Sequence, residues 1–216
     1  MELIVGDKNK SSWSLRPWLV LKRAKQPFTE QAIILDIDTT AAEIAKHSPT
    51  GKIPALHTDE GHVVWDSMAI CVHVAEKNPQ AGLWPADQAA RDYARSAACE
   101  MHSGFQSLRG ECPMSVTLGA KLDLSEATGK DVRRLVQLFL EGRRRFGDKG
   151  PYLCGTWSVA DAFFTPVALR FRAYGVALSD FGDTGEAGAY CATLLAEPDF
   201  LEWEQQAIAE VNGKAA

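Results

Sequence analysis

The chain has 216 residues, 46% of them hydrophobic and 24% charged, with a formal net charge of −5 at pH 7. That length suits one or two folded domains, and that balance excludes disordered, collagen-like and coiled-coil readings. The acidic surplus removes the basic face that a phosphate-backbone binder needs, so no nucleic-acid partner is expected.

Cysteines stand at Cys71, Cys99, Cys112, Cys154 and Cys191, with no C-x-x-C spacing. An odd number in apolar or helical stretches fits reduced thiols in a cytoplasmic protein. The start, Met1-Glu2-Leu3-Ile4-Val5-Gly6, is too short and too acidic for a signal peptide, and no run of about 18 apolar residues follows. Neither export by that route nor a membrane partner is expected.

Leu3 to Val5 is an apolar run closed by Gly6, which suits a buried strand. The polar loop Asp7 to Ser12 precedes Leu15, Trp18, Leu19 and Lys22 on helical spacing. Pro17 belongs in a helix's first turn, where no intrahelical acceptor waits for its missing N–H, so that helix is expected to start near Ser12 to Ser14. Phe28 to Leu35 reads as a second strand and Ala41 to Lys46 as a short helix. Ala55 to Thr58 and His62 to Trp65 form a hairpin around Asp59-Glu60-Gly61. Asp66 caps a helix that carries Ile70 and Val74 inward and ends at Asn78-Pro79. The order is βαβαββα.

From Pro79 to Asp87 apolar anchors thin out, and beyond that stretch no strand is convincing. Residues 1–79 are therefore taken as one domain, 80–87 as linker and 88–216 as an all-helical domain. Tyr93, Ala97, Met101, Phe105 and Leu108 make one helical stripe, and Val132, Leu135, Val136 and Phe139 another. Phe163, Val167 and Phe171 mark a third helix, and Glu186 to Val211, broken at Pro198, allows two more. The fold class is α+β: a βαβαββα domain followed by a helical bundle.

Motifs for nucleotide loops, serine-hydrolase elbows and H-E-x-x-H zinc sites are missing. His47, His57, His62, His73 and His102 lack paired ligand spacing, so no metal is expected. Arg143-Arg144-Arg145 reads as a solvated helix C-terminus, where cations offset the dipole.

Chemistry concentrates at three points. Ser11-Ser12-Trp13-Ser14-Leu15-Arg16 lies where strand passes to helix, the place at which a βαβαββα thioredoxin carries its C-x-x-C pair. Serines there exclude dithiol chemistry, yet a hydroxyl at a helix N-terminus donates to an anion; plain N-capping explains the same residues, with Ser14 the better placed cap. Gly51-Lys52-Ile53-Pro54-Ala55-Leu56 is compatible with a cis proline that frees the Ile53 backbone for an extended ligand, or with a trans proline opening an edge strand. At Trp65-Asp66-Ser67, a helix start offers an N–H and a hydroxyl to a carboxylate and an acid to an ammonium; an Asp N-cap alone is the simpler account.

Together, in this order, these segments resemble the glutathione transferase superfamily with its thioredoxin-like first domain. Ser11 to Arg16, SSWSLR, is similar to the zeta-class signature S-S-C-S-x-R, with Trp13 in place of cysteine. Gly155 to Asp161 is similar to the family's capping motif, in which Ser158 and Asp161 bond each other's backbone. The resemblance implies glutathione as co-substrate, with Ser11, or failing it Ser12, facing its sulfur. It implies Ile53 before a cis Pro54 pairing the cysteinyl unit, Asp66 and Ser67 holding the γ-glutamyl end, and Lys52 touching the tripeptide. A small hydrophobic electrophile would lie against Trp13, Arg16, Met101, His102, Phe105 and Arg109. Homodimers are usual in the family.

A free thiol of pKa about 8.5 is mostly protonated at neutral pH; a hydroxyl donor and helix N-terminus that lower it by about two units, or roughly 2.7 kcal/mol, make thiolate the major form. Trp13 at the cysteine position weakens the isomerase reading of the zeta class and leaves conjugation or peroxide reduction, a detoxifying chemistry. Maleylacetoacetate-type isomerisation and a non-catalytic glutathione-binding module are the alternatives. With no cysteine in the loop, insulin-disulfide reduction is expected to stay at the uncatalysed rate; a dithiol-like turnover would overturn the reading of the loop.

Overall fold

Leu3, Ile4 and Val5 have no exposed surface, and they form the inner strand β1 (Glu2–Gly6) of a four-stranded sheet. In the computed structural model, which describes residues 1–214, β1 pairs in parallel with β2 (Thr29–Ile33) and antiparallel with β3 (Ala55–His57). β3 pairs antiparallel with β4 (Val63–Trp65), giving the order β2-β1-β3-β4. Successive side chains of a strand point to opposite faces. Ile4 accordingly packs with Ile33, Ile44 and Ala55 on one side, while Leu3 and Val5 join Leu56 in the main core. Burial on both faces explains why the run is continuous rather than alternating.

Helices α1 (Ser12–Arg23), α2 (Thr40–His47) and α3 (Ser67–Lys77) complete the expected βαβαββα order. Because α1 begins at Ser12, Pro17 falls one turn inside it, not in the first turn; the Trp13 carbonyl loses the N–H that this position would otherwise supply.

After a short 3-10 turn at Pro79–Ala81 the chain is helical: α4 (Gln88–Ser103), α5 (Gln106–Glu111), α6 (Glu126–Phe146), α7 (Val159–Ala173), α8 (Glu186–Leu195) and α9 (Pro198–Lys214). Two isolated bridges, Tyr152 with Gly155 and Cys154 with Thr156, tighten the turn before α7. The stripe from Tyr93 to Leu108 does not lie on one helix. A Cβ at Gly104 would sit 2.8 Å from the Glu100 carbonyl, and Phe105 has φ +60°, so α4 stops and α5 starts in a new direction. Arg143 is not simply solvated either. It donates to the Gly150 and Tyr152 carbonyls at 2.6 Å each and so closes the loop after α6, while Arg145 pairs with Glu141 at 2.9 Å. Among the described residues no helix is long and apolar enough to cross a membrane.

Helix α7 is buried on nearly every face and packs on α1, α4 and α8. Its start carries the reciprocal capping box of Ser158 and Asp161. One Asp161 oxygen accepts from the Ser158 N–H at 2.7 Å and its hydroxyl at 3.0 Å; the other accepts from the Leu153 N–H at 3.0 Å and the Tyr190 hydroxyl at 2.9 Å. Burial pushes this carboxyl above its ordinary pKa, and the four donors pull it back. Asp161→Ala would leave several buried donors unpaired, at about 1–3 kcal/mol each. Urea unfolding is expected to show a loss of at least about 3 kcal/mol; a loss under about 1 kcal/mol would refute the capping role.

Candidate active site

Strand β1 ends where three loops meet. A Cβ on Gly6 would lie 2.9 Å from Leu35 and 3.0 Å from both Ile53 and Ser11, so only glycine lets these residues close around the strand end. Ser11, not Ser14, caps α1. Its Oγ accepts the Ser14 N–H at 3.4 Å and donates to Ser14 Oγ at 2.7 Å, and Ser14 Oγ in turn accepts the Gly6 N–H at 3.0 Å. Ser14 is thereby tied to the strand, which is why it cannot serve as the cap. Ser12 Oγ accepts from Arg170 Nη2 at 3.2 Å.

The Ile53–Pro54 peptide is cis, and Lys52 stands exposed beside it. Asp66 caps α3 with φ +75°: its Oδ1 accepts the Met68 and Ala69 N–H groups at 2.8 and 3.2 Å. Its Oδ2 lies 3.2 Å from Nε2 of His102 on α4. Ser67 is 1% exposed, and its Oγ has no hydrogen-bond partner among the described residues. The N-termini of α1 and α3 thus come together at His102, which meets both Trp13 and Asp66, and their fields favour negative charge there.

Residues of α1 and of the helical half meet on the other side. The Trp13 indole is 37% exposed, with the Arg16 guanidinium 4.4 Å from its centre, that of Arg109 at 4.6 Å, and the His102 ring edge-on at 5.4 Å. Arg109 is anchored by the Gly104 and Met101 carbonyls. Arg16 is fully buried between Trp13 and Phe163, and none of its three nitrogens has a partner among the described residues. Burial, then the cations of Arg109 and Arg170, hold Arg16 well below its ordinary pKa. Burial likewise lowers His102, against the pull of Asp66. Of the residues read as lining the electrophile site, Trp13, His102 and Arg109 therefore meet at the cleft. Arg16 lies beneath them, and Met101 and Phe105 are packed in the core behind.

Two residues escaped the sequence reading. Asn9 Oδ1 accepts the Val116 and Thr117 N–H groups at 2.9 and 3.1 Å and ties the loop before Ser11 to the segment after α5. Arg170 was passed over inside an apolar helix, although a charge among Phe163, Val167 and Phe171 demands a buried partner and could have been flagged on that ground.

The glutathione S-transferase N-terminal domain model matches residues 10–77. Over those residues the chain is similar to that family's amino-terminal domain. A glutathione transferase homolog from Burkholderia, solved with bound glutathione, superposes with a TM-score of 0.72 at 23% identity, over 96% of this chain and 98% of that one. The beta-class glutathione S-transferase of Sphingomonas chungbukensis gives 0.67 at 20% identity, with the same coverage. The whole chain thus has the two-part glutathione transferase fold. A probable maleylacetoacetate isomerase of Caenorhabditis elegans is 28% identical over 101 residues, 47% of this chain and 46% of that protein. Its Drosophila melanogaster counterpart, probable maleylacetoacetate isomerase 1, is 30% identical over 100 residues, 45% of this chain and 40% of the relative. Each of these two matches spans less than half the relative's length.

Arg16 gives a test of the site's electrostatics. A buried guanidinium without hydrogen bonds costs several kcal/mol in desolvation, while two aromatic faces return at most about 2 kcal/mol each. Arg16→Met keeps contact with both rings and removes the charge. We expect the unliganded variant to be as stable as the parent, or up to about 3 kcal/mol more stable, by urea unfolding; a loss above about 2 kcal/mol would contradict this account.

Proposed function

We propose that the chain is a glutathione transferase: it binds glutathione along the amino-terminal domain and activates the thiol for attack on a small electrophile, by conjugation or peroxide reduction. The observation that carries the reading is Ser67, a buried hydroxyl with no hydrogen-bond partner among the described residues at the N-terminus of α3, next to an acid whose second carboxylate oxygen lies against His102. Such a pair suits an amino-acid head group: the Ser67 hydroxyl and N–H take the γ-glutamyl carboxylate, and Asp66 its ammonium. The Ile53 backbone before cis-Pro54 pairs the cysteinyl unit, with Lys52 alongside, and the sulfur comes to rest at the Ser11–Ser12 end of α1. Bound glutathione in a Burkholderia protein of the same fold supports glutathione as the ligand.

On this reading residues 1–79 carry the tripeptide, 80–87 link, and 88–216 supply the electrophile's wall through Trp13's neighbours His102 and Arg109. A hydrophobic electrophile, a homodimeric state, a cytoplasmic location and a detoxifying role belong to the same proposal. Isomerisation of the maleylacetoacetate type is the second reading, favoured by the names of the two relatives that match part of the chain. Against it stands Trp13, whose indole, clamped between two guanidinium groups, fills the position of the zeta-class cysteine.

Calorimetric titration with glutathione is expected to give a Kd between micromolar and millimolar, about 4–8 kcal/mol. Ser67→Ala should weaken it about tenfold, because it removes a hydrogen bond to a charged group. No heat and no thermal shift at about 10 mM glutathione would overturn the function proposed.

A further inference from the structure

Ser11 and Ser12 both border the place assigned to the sulfur, and their hydrogen bonds tell them apart. A hydroxyl has one hydrogen to give and two lone pairs to receive with. Ser11 gives its hydrogen to Ser14 Oγ at 2.7 Å, within the circuit that ties Gly6 to the start of α1. Ser12 Oγ accepts from Arg170 Nη2 at 3.2 Å and, among the described residues, donates to nothing. Its hydrogen is uncommitted, and an oxygen that already accepts from a cation becomes a stronger donor.

We propose that Ser12 is the hydroxyl that donates to the glutathione sulfur and that Arg170 is its positioning residue. The proposal rests on the glutathione reading above. Arg170 is 3% exposed and sits in the last turn of α7, far along the chain from the serine loop. Its Nε donates to the Cys112 carbonyl at 2.9 Å and its Nη1 to the Pro166 carbonyl at 3.1 Å. With those two directions taken, the planar guanidinium can aim Nη2 only along the third, which meets Ser12. The thiol-activating group is then assembled across the two halves of the molecule: the hydroxyl comes from α1, its orientation from α7. Burial, with Arg109 adding to it, pulls Arg170 down to about 10, so it stays charged at neutral pH. When the thiol ionises, its S–H bond breaks and the proton leaves to water; Ser12 keeps its own hydrogen and directs it at the thiolate.

The experiment measures the pKa of enzyme-bound glutathione from thiolate absorbance across pH, with the Kd for glutathione measured in parallel. Ser12→Ala and Arg170→Met are each expected to raise the bound thiol's pKa by about one unit or more, a tenfold fall in the thiolate-to-thiol ratio, with Kd changed less than about threefold. Arg170→Lys keeps the charge but not the three-way fork and should give an intermediate value. Ser11→Ala breaks the cap and should lower the Tm, with a smaller shift in the bound thiol's pKa than Ser12→Ala gives. A pKa moved by Ser11→Ala and not by Ser12→Ala overturns the assignment of the hydroxyl. A wild-type value in Arg170→Met overturns the role of Arg170; if that variant does not fold, a wild-type value in Arg170→Lys does the same. Failure of the unmodified chain to bind glutathione would instead refute the function proposed, so the two failures are distinguishable.

Discussion

A helix buried on nearly every face must satisfy most of its polar groups from within the protein, and α7 meets that constraint at both ends. At its start Asp161 gathers two backbone N–H groups and two hydroxyls, from Leu153, Ser158 and Tyr190. At its far end Arg170 gathers the Cys112 and Pro166 carbonyls and the Ser12 hydroxyl. The first set fixes α7 against the turn before it and against α8. The second fixes it against α5's end and the serine loop. Because α7 also packs on α1 and α4, the position of the loop at the head of α1 depends on how this one helix is seated.

The seam between the sheet and the helices repeats that logic with different groups. The Lys8 N–H donates to Glu210 at 2.8 Å, its carbonyl accepts the Trp203 indole N–H at 2.9 Å, and its ammonium pairs with Glu30 and Gln206. One residue further on, Asn9 holds the segment at Val116 and Thr117. The loop that leads into Ser11 is therefore held by α9 on one side and by the stretch after α5 on the other. A loop at a helix N-terminus would otherwise be free to fray, and a hydroxyl donor is useful only when its direction is held.

Much of the fold was legible because its signals are local. The buried run Leu3 to Val5, the hairpin around Gly61, the Asp66 cap and the Ser158–Asp161 box each depend on a few neighbouring residues. Errors arose where geometry at one residue overrode periodicity: Gly104 and Phe105 split a stripe that reads as continuous, and the true cap, Ser11, displaced Ser14 because Ser14 is claimed by the Gly6 N–H. On the amino-terminal side the local geometry of the candidate site, the cis Ile53–Pro54 bond and the Asp66 cap, was legible for the same reason. Arg170 lies 158 residues from Ser12, and no spacing rule spans that distance. What marked it was chemical incongruity, a charge in an apolar helix.

The cleft's charge balance follows from these same placements. Arg16, Arg109 and Arg170 bring three guanidinium groups near the head of α1, and burial holds each below its ordinary pKa. The acid nearest to hand, Asp66, is already occupied by two N–H groups and lies against His102. Arg109 also lowers Arg16 and Arg170, and Arg170 lowers Arg16; that repulsion is a cost the protein carries, and an anion placed among these groups relieves it. On the function proposed above, thiolate is such an anion and thiol is not, so this repulsion works in the same direction as the α1 dipole and the proposed Ser12 hydroxyl. Repulsion among these cations is in that reading converted into preference for the ionised form of a bound sulfur.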